Sequence, residues 1–167
     1  MPEPPPSVGP ASGASSGSGR PGRPAPPPSV GPASGASSGS GRPAPVPTPK
    51  TPAAGPYSPA VRAGDWVVCS GQIGVDPATG QLVTDMIGQV RQAFANTTTL
   101  LAECGCGWEH VAKATLFVGL DSPQWMPEIN EIYAEVVGSN RPARSTVGVA
   151  WLPMGAIFEI EVWAHTP

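Results

Sequence analysis

The chain has 167 residues and a formal net charge of −3, and its composition changes abruptly near Pro56. Residues 1–55 contain sixteen prolines, no aromatic residue and no Leu or Ile. They cannot bury enough apolar surface to offset chain entropy, which excludes a second core and predicts a disordered tail. Four of the nine Lys/Arg and one of the twelve acids fall in that tail, leaving residues 56–167 with five bases, eleven acids and a net charge of −6; such a domain is a poor electrostatic match for a phosphate backbone, so nucleic-acid binding is disfavoured.

Within the tail, "PPPSVGPASGASSGSGRP" occurs at 4–21 and again, unchanged, at 26–43. A single valine per copy gives no apolar face for stacking. The repeat therefore reads as a duplicated flexible linker with polyproline character, with recognition by a proline-binding module as the alternative. No run of eighteen apolar residues and no secretory apolar region occurs, so the expectation is a soluble cytoplasmic protein without membrane contact.

The second part, 56–167, holds one hydrophobic core. "AVRAGDWVVCSGQIGV" sets Ala63-Gly64-Asp65 between short apolar runs and predicts a β-hairpin. In "TDMIGQVRQAFANTTTLLAECG", Ile87, Val90, Phe94 and Leu101 share a helical face, with Thr84 or Asp85 as cap and Gly105 as stop. "VAKATLFVGL" is strand-like. "SPQWMPEINEIYAEVVG" predicts a second helix, capped by Ser122 or Asp121, with Pro127 in its first turn and Ile129, Ile132, Tyr133 and Val136 on one face. The segment 141–164 supplies two more strands around Pro153-Met154-Gly155. The order is β-β-α-β-α-β-β, an α+β fold with two helices on one face of a sheet.

Period-two alternation in the last strands sets Ser145, Val147, Val149 and Trp151 against Arg144, Thr146, Gly148 and Ala150, and Phe158, Ile160 and Val162 against Glu159, Glu161 and Trp163. If the apolar sets share the helix-covered face, then Arg144, Thr146, Glu159 and Glu161 lie together on the other. That face is either solvated or, given Gly148, Ala150 and Trp163, covered by another subunit. Arg144 is either a salt-bridge partner or an anion ligand at a rim. Tyr57 at the order boundary and the glycine inside "SGQ", 70–72, favour a pocket there. Cys69, Cys104 and Cys106 lack paired metal-ligand spacing. They read as free, mostly buried thiols, with a metal site including His110 as the weaker alternative.

"GPYSPAVRAGDWVVCSGQIGVDPATGQLV", "NEIYAEVVG" and "RPARSTVGVAWLP" followed by "FEIEVWA" resemble the RidA (YjgF-type) family of reactive-imine deaminases across about residues 57–166. The resemblance implies a chorismate-mutase-like homotrimer with clefts between subunits. It also implies cofactor-free hydrolysis of 2-imino acids, chiefly 2-iminopropanoate (the 2-aminoacrylate tautomer) and 2-iminobutanoate, to 2-oxo acids and ammonia. By position, Arg144 would clamp the substrate carboxylate and Glu159 would activate water. Tyr57, Ser70, Gly71 and Asn130 match other cleft positions. Thr146 stands in the cleft where many relatives carry Cys, so a thiol-based role is not expected at this position. Two rival functions follow from the same resemblance: a small-carboxylate binder without turnover, and an RNA-cleaving or translation-inhibiting relative.

Overall fold

The structure, a computed structural model, describes residues 42–166. Almost all of the duplicated segment, and so most of the expected tail, lies outside the described residues.

The hairpin forms as the sequence indicates. Strands β2 (Ala60–Ala63) and β3 (Trp66–Cys69) pair antiparallel with Ala63 opposite Trp66, and the connecting Gly64 takes φ +60°, a conformation that glycine adopts without Cβ strain. Ahead of them, β1 (Ala44–Pro45) pairs with Val61 and Arg62, and Val46 packs against the core. The paired chain thus starts earlier than Pro56. Composition hid this, because the segment is held by partners distant in sequence and not by its own apolar content.

A two-residue strand, β4 (Gln72–Ile73), leads toward helix α1 (Met86–Glu103). Asp85 caps α1 by accepting the Gly88 N–H, and Gly105 follows its end at φ +75°. The buried stripe of α1 includes Val90, Phe94, Leu100 and Leu101. After β5 (Val111–Gly119), a 3₁₀ turn over Pro123–Trp125 intervenes before helix α2 (Met126–Val137). Ser122 therefore stands at the N-cap position of the turn without a side-chain capping bond, and Trp125 occupies the N-cap of α2 with Pro127 in the first turn. Strands β6 (Ala143–Val149) and β7 (Phe158–His165) close the chain.

The sheet runs β1-β2-β3-β7-β5-β6, with β4 also on β7. All pairings are antiparallel except β5 with β6, which α2 connects as a parallel crossover. Val67, Ala114, Leu116, Phe158, Ile160 and Val162 are fully buried beneath the helices. There Phe94 brings the rings of Trp108, Tyr133 and Phe158 within 5.8–6.0 Å of its own. Burial of each such large side chain is worth roughly 1.5–3 kcal/mol.

The last two strands are not neighbours: β5 lies between them. This overturns the expected grouping of polar residues. Leu116 on the helix face pairs with Ile160 of β7 on one side and with Thr146 of β6 on the other. Arg144 and Thr146 therefore share the helix-covered side of the sheet, while Glu159, Glu161, Trp163 and Lys113 share the open side. Lys113 Nζ donates to Ser145 Oγ at 2.6 Å across that open side. Alternation misled because β6 is an edge strand, exposed from Ala143 to Gly148, so its apolar residues do not mark the core.

Candidate functional site

Glu159 lies on β7 opposite Ile73 of β4. Beside it the chain passes Gly71 so closely that a Cβ there would overlap Glu159 Oε1 and stand 2.6 Å from Cδ. The glycine in "SGQ" is thus explained by a carboxylate that occupies its side-chain space. Burial pushes the Glu159 carboxyl above its usual 4.5, and the charge of Glu161 adds to the shift. A carboxyl held partly out of water and poised toward protonation suits a group that takes and returns a proton.

Ser70 is fixed next to it, with Oγ donating to Ser58 O and the backbone N–H to Pro59 O, each at 2.8 Å. Gln72 Nε2 donates to Gly71 O at 3.1 Å. Asn96 of α1 donates to the carbonyls of Ile73 and Val75 at 3.0 and 2.8 Å, which ties this irregular edge to the helix. The result is a cavity of about 640 Å³ lined by Tyr57, Ser70, Gly71 and Glu159, with a second wall from residues 50–54. The Tyr57 hydroxyl accepts from Ala54 N–H at 3.4 Å. Met154, with left-handed φ of 57°, borders the same cavity, and no periodicity in the sequence marks it.

Arg144, Thr146 and Asn130 do not line this cavity. Arg144 lies on β6, with its guanidinium carbon 4.7 Å from the centroid of the Tyr133 ring in α2. Asn130 is one helical turn before Tyr133 and exposed. Among the described residues the salt bridges are Arg91–Glu135 and Glu109–His110. Arg144 therefore has no carboxylate partner there, and the reading of Arg144 as a salt-bridge partner fails. The seven residues named from sequence thus divide into two groups on opposite faces of the sheet, separated by β5. Tyr133 was read from sequence only as core; its platform role under Arg144 could be found only with the register of β6 known.

The three cysteines are free and buried. Contact with Cys104, then burial, hold Cys69 as a thiol. His110 Nδ1 accepts the Gly107 N–H at 2.9 Å, and no cluster of three or more metal-ligating side chains occurs among the described residues. No helix there is long and apolar enough to cross a membrane.

A mixed sheet with two helices on one side and a carboxylate-floored cavity at an irregular strand defines an α+β protein of the chorismate-mutase-like class. Residues 48–166 match the family described as Endoribonuclease L-PSP. The chain is 42% identical over 122 residues to a RutC family protein of Aquifex aeolicus, covering 71% of this chain and 96% of that one. It is 40% identical over 121 residues to the human 2-iminobutanoate/2-iminopropanoate deaminase, covering 71% and 87%. A Yersinia pestis protein of the conserved Rid family, YyfA, superposes with a TM-score of 0.70 at 38% identity over 75% of this chain and 100% of that one. The chain belongs to this family, the RidA (YjgF-type) family.

Proposed function

We propose that the protein hydrolyses reactive 2-imino acids such as 2-iminopropanoate and 2-iminobutanoate to 2-oxo acids and ammonia, in clefts formed where copies of the chain meet. The observation that carries this reading is the division of the candidate residues. A cavity with a carboxylate suited to proton transfer lacks a guanidinium, and a guanidinium without a carboxylate stands on a strand whose outer edge is unpaired. Apposition of two copies, β6 of one against the cavity of the next, would complete both. The named human relative, an imine deaminase, supports the chemistry.

Arg144 would grip the substrate carboxylate through a bidentate pair that a planar, permanently charged guanidinium makes well. Glu159, ionised, would draw a proton from water as its oxygen bonds to the imine carbon and the C=N π pair moves onto nitrogen. The same carboxyl would return that proton to the amine nitrogen of the carbinolamine; as C–N breaks and ammonia leaves, an oxygen lone pair closes the C=O bond and the hydroxyl proton passes back to the carboxylate and on to solvent. Effective positioning accounts for most of the rate, since a protonated imine is already electrophilic.

The test generates the imine in situ with an amino-acid oxidase and times its loss. Arg144→Lys keeps the charge and loses the fork, so kcat/KM should fall on the order of thirtyfold, about 2 kcal/mol. Glu159→Gln should lower kcat by roughly a hundredfold with 2-oxobutanoate affinity nearly unchanged. Full turnover in Glu159→Gln would remove Glu159 from the proton transfer, whereas a wild-type chain that binds 2-oxobutanoate but turns over no imine would leave only the carboxylate-binding reading.

A further inference from the structure

The cavity's second wall is a strap, residues 46–57, that crosses in front of Ser70, Gly71 and Glu159. Its lower end is fixed where Val46 N–H donates to Ala60 O at 2.9 Å. Between Val46 and Tyr57 its hydrogen bonds to the rest of the described chain end on one side chain, that of Glu103. Lys50 N–H donates to Glu103 Oε1 at 2.7 Å and Thr51 Oγ1 donates to Oε2 at 2.5 Å, across 53 and 52 positions of sequence. The strap's other bonds are internal: Thr51 N–H to Thr48 O at 3.1 Å, Thr48 Oγ1 to Thr51 O at 3.2 Å, Tyr57 N–H to Gly55 O at 2.8 Å, and Ala54 N–H to the Tyr57 hydroxyl.

Glu103 is the last residue of α1, and no basic side chain occupies that last turn. A carboxylate there faces the negative end of the helix dipole, an unfavourable place unless donors meet it. The strap supplies two, on both oxygens. Lys50 to Ala54 then line the cavity directly beyond the clamp, and Tyr57 is tied to them through Ala54.

The geometry points to Glu103 as a positioning residue for the imine-hydrolysing site: through Lys50 and Thr51 it holds the strap that forms one wall of the cavity and sets Tyr57. This rests on the deaminase reading of the cavity. Glu103 touches no reacting atom. Its action is on the population of chains whose wall is in place, and ligand binding to that population alone makes apparent affinity fall in proportion to it. Saturating substrate refills the ordered state, so the signature is a change in KM without one in kcat.

The experiment uses the full chain with Glu103→Ala, Thr51→Val and Thr51→Ser. In the oxidase-coupled assay the first two should raise KM about tenfold with kcat within about twofold of wild type, and Thr51→Ser, which restores the hydroxyl, should return KM close to wild type. Trypsin cleavage after Lys50, followed by mass, should quicken in Glu103→Ala and Thr51→Val and slow again under saturating 2-oxobutanoate. An unchanged KM, a loss confined to thermal stability, or cleavage as slow as wild type would overturn the assignment. A wild-type chain that hydrolyses no 2-imino acid would instead defeat the deaminase reading on which it stands.

Discussion

Glu159 and Gly71 form a pair in which one residue's side chain lies where the other's would be. Replacing Gly71 with Ala would drive a methyl into the carboxylate, so Gly71→Ala should displace Glu159 and reduce kcat by at least tenfold, read in the coupled assay against an unchanged circular dichroism spectrum. The raised Glu159 carboxyl has a second consequence, for stability. Folding makes this acid harder to ionise than in the unfolded chain, so its contribution is full below about 4.5 and is lost as pH rises through the folded value. Glu159→Gln, which stays neutral, should therefore raise Tm near neutral pH and change it little near pH 4, by calorimetry. A Tm difference that is the same at both pH values would show that Glu159 is not strained by ionisation. Sequence alone indicated both residues, because a glycine inside a strand and a carboxylate amid Phe and Ile are local anomalies. It did not pair them, since Gly71 and Glu159 meet only through the β4–β7 register.

The elements that could be read were those whose signals are local. The hairpin turn at Gly64, the Asp85 cap and the apolar stripe of α1 each depend on a few adjacent residues. Phe94 on that stripe contacts three other aromatic rings and is 1% exposed, so Phe94→Ala should cost about 3–5 kcal/mol in a urea melt. The face of β6 was not legible, because it is set by a parallel partner, β5, some thirty residues away; one residue of register moves Arg144 from one side of the sheet to the other. The strap was hidden for a related reason: its prolines resemble the tail, while its anchors are Ala60 and Glu103. Truncation should separate the two. A chain beginning at Arg42 retains β1 and the clamp and should turn over imine as the full chain does. One beginning at Ala53 should show a raised KM, and equal kinetics for both would mean that the strap contributes nothing to the site.

At the scale of the molecule, the open side of the sheet presents Trp163 at 47% and Val147 at 42% exposure, with Trp151 at 75% beyond the end of β6. Large apolar side chains at such exposure are what a contact surface presents; if copies of the chain cover it, light scattering on the Arg42 chain should give three copies, and a stable monomer would defeat the proposed completion of the cavity by Arg144 of a second copy. The family resemblance implied a trimer, and alternation placed Trp163 on a face unlike an ordinary solvated one. Composition could not show which residues each copy would contribute. Strand β6 ends the sheet with one edge unpaired, and a row of free backbone N–H and C=O groups seeks a neighbour. If that neighbour is another copy, each chain acts as a ligand for the folded state of the next, and mass action governs the melt: Tm should climb with total protein concentration, and dilution should unfold the protein and silence its chemistry together.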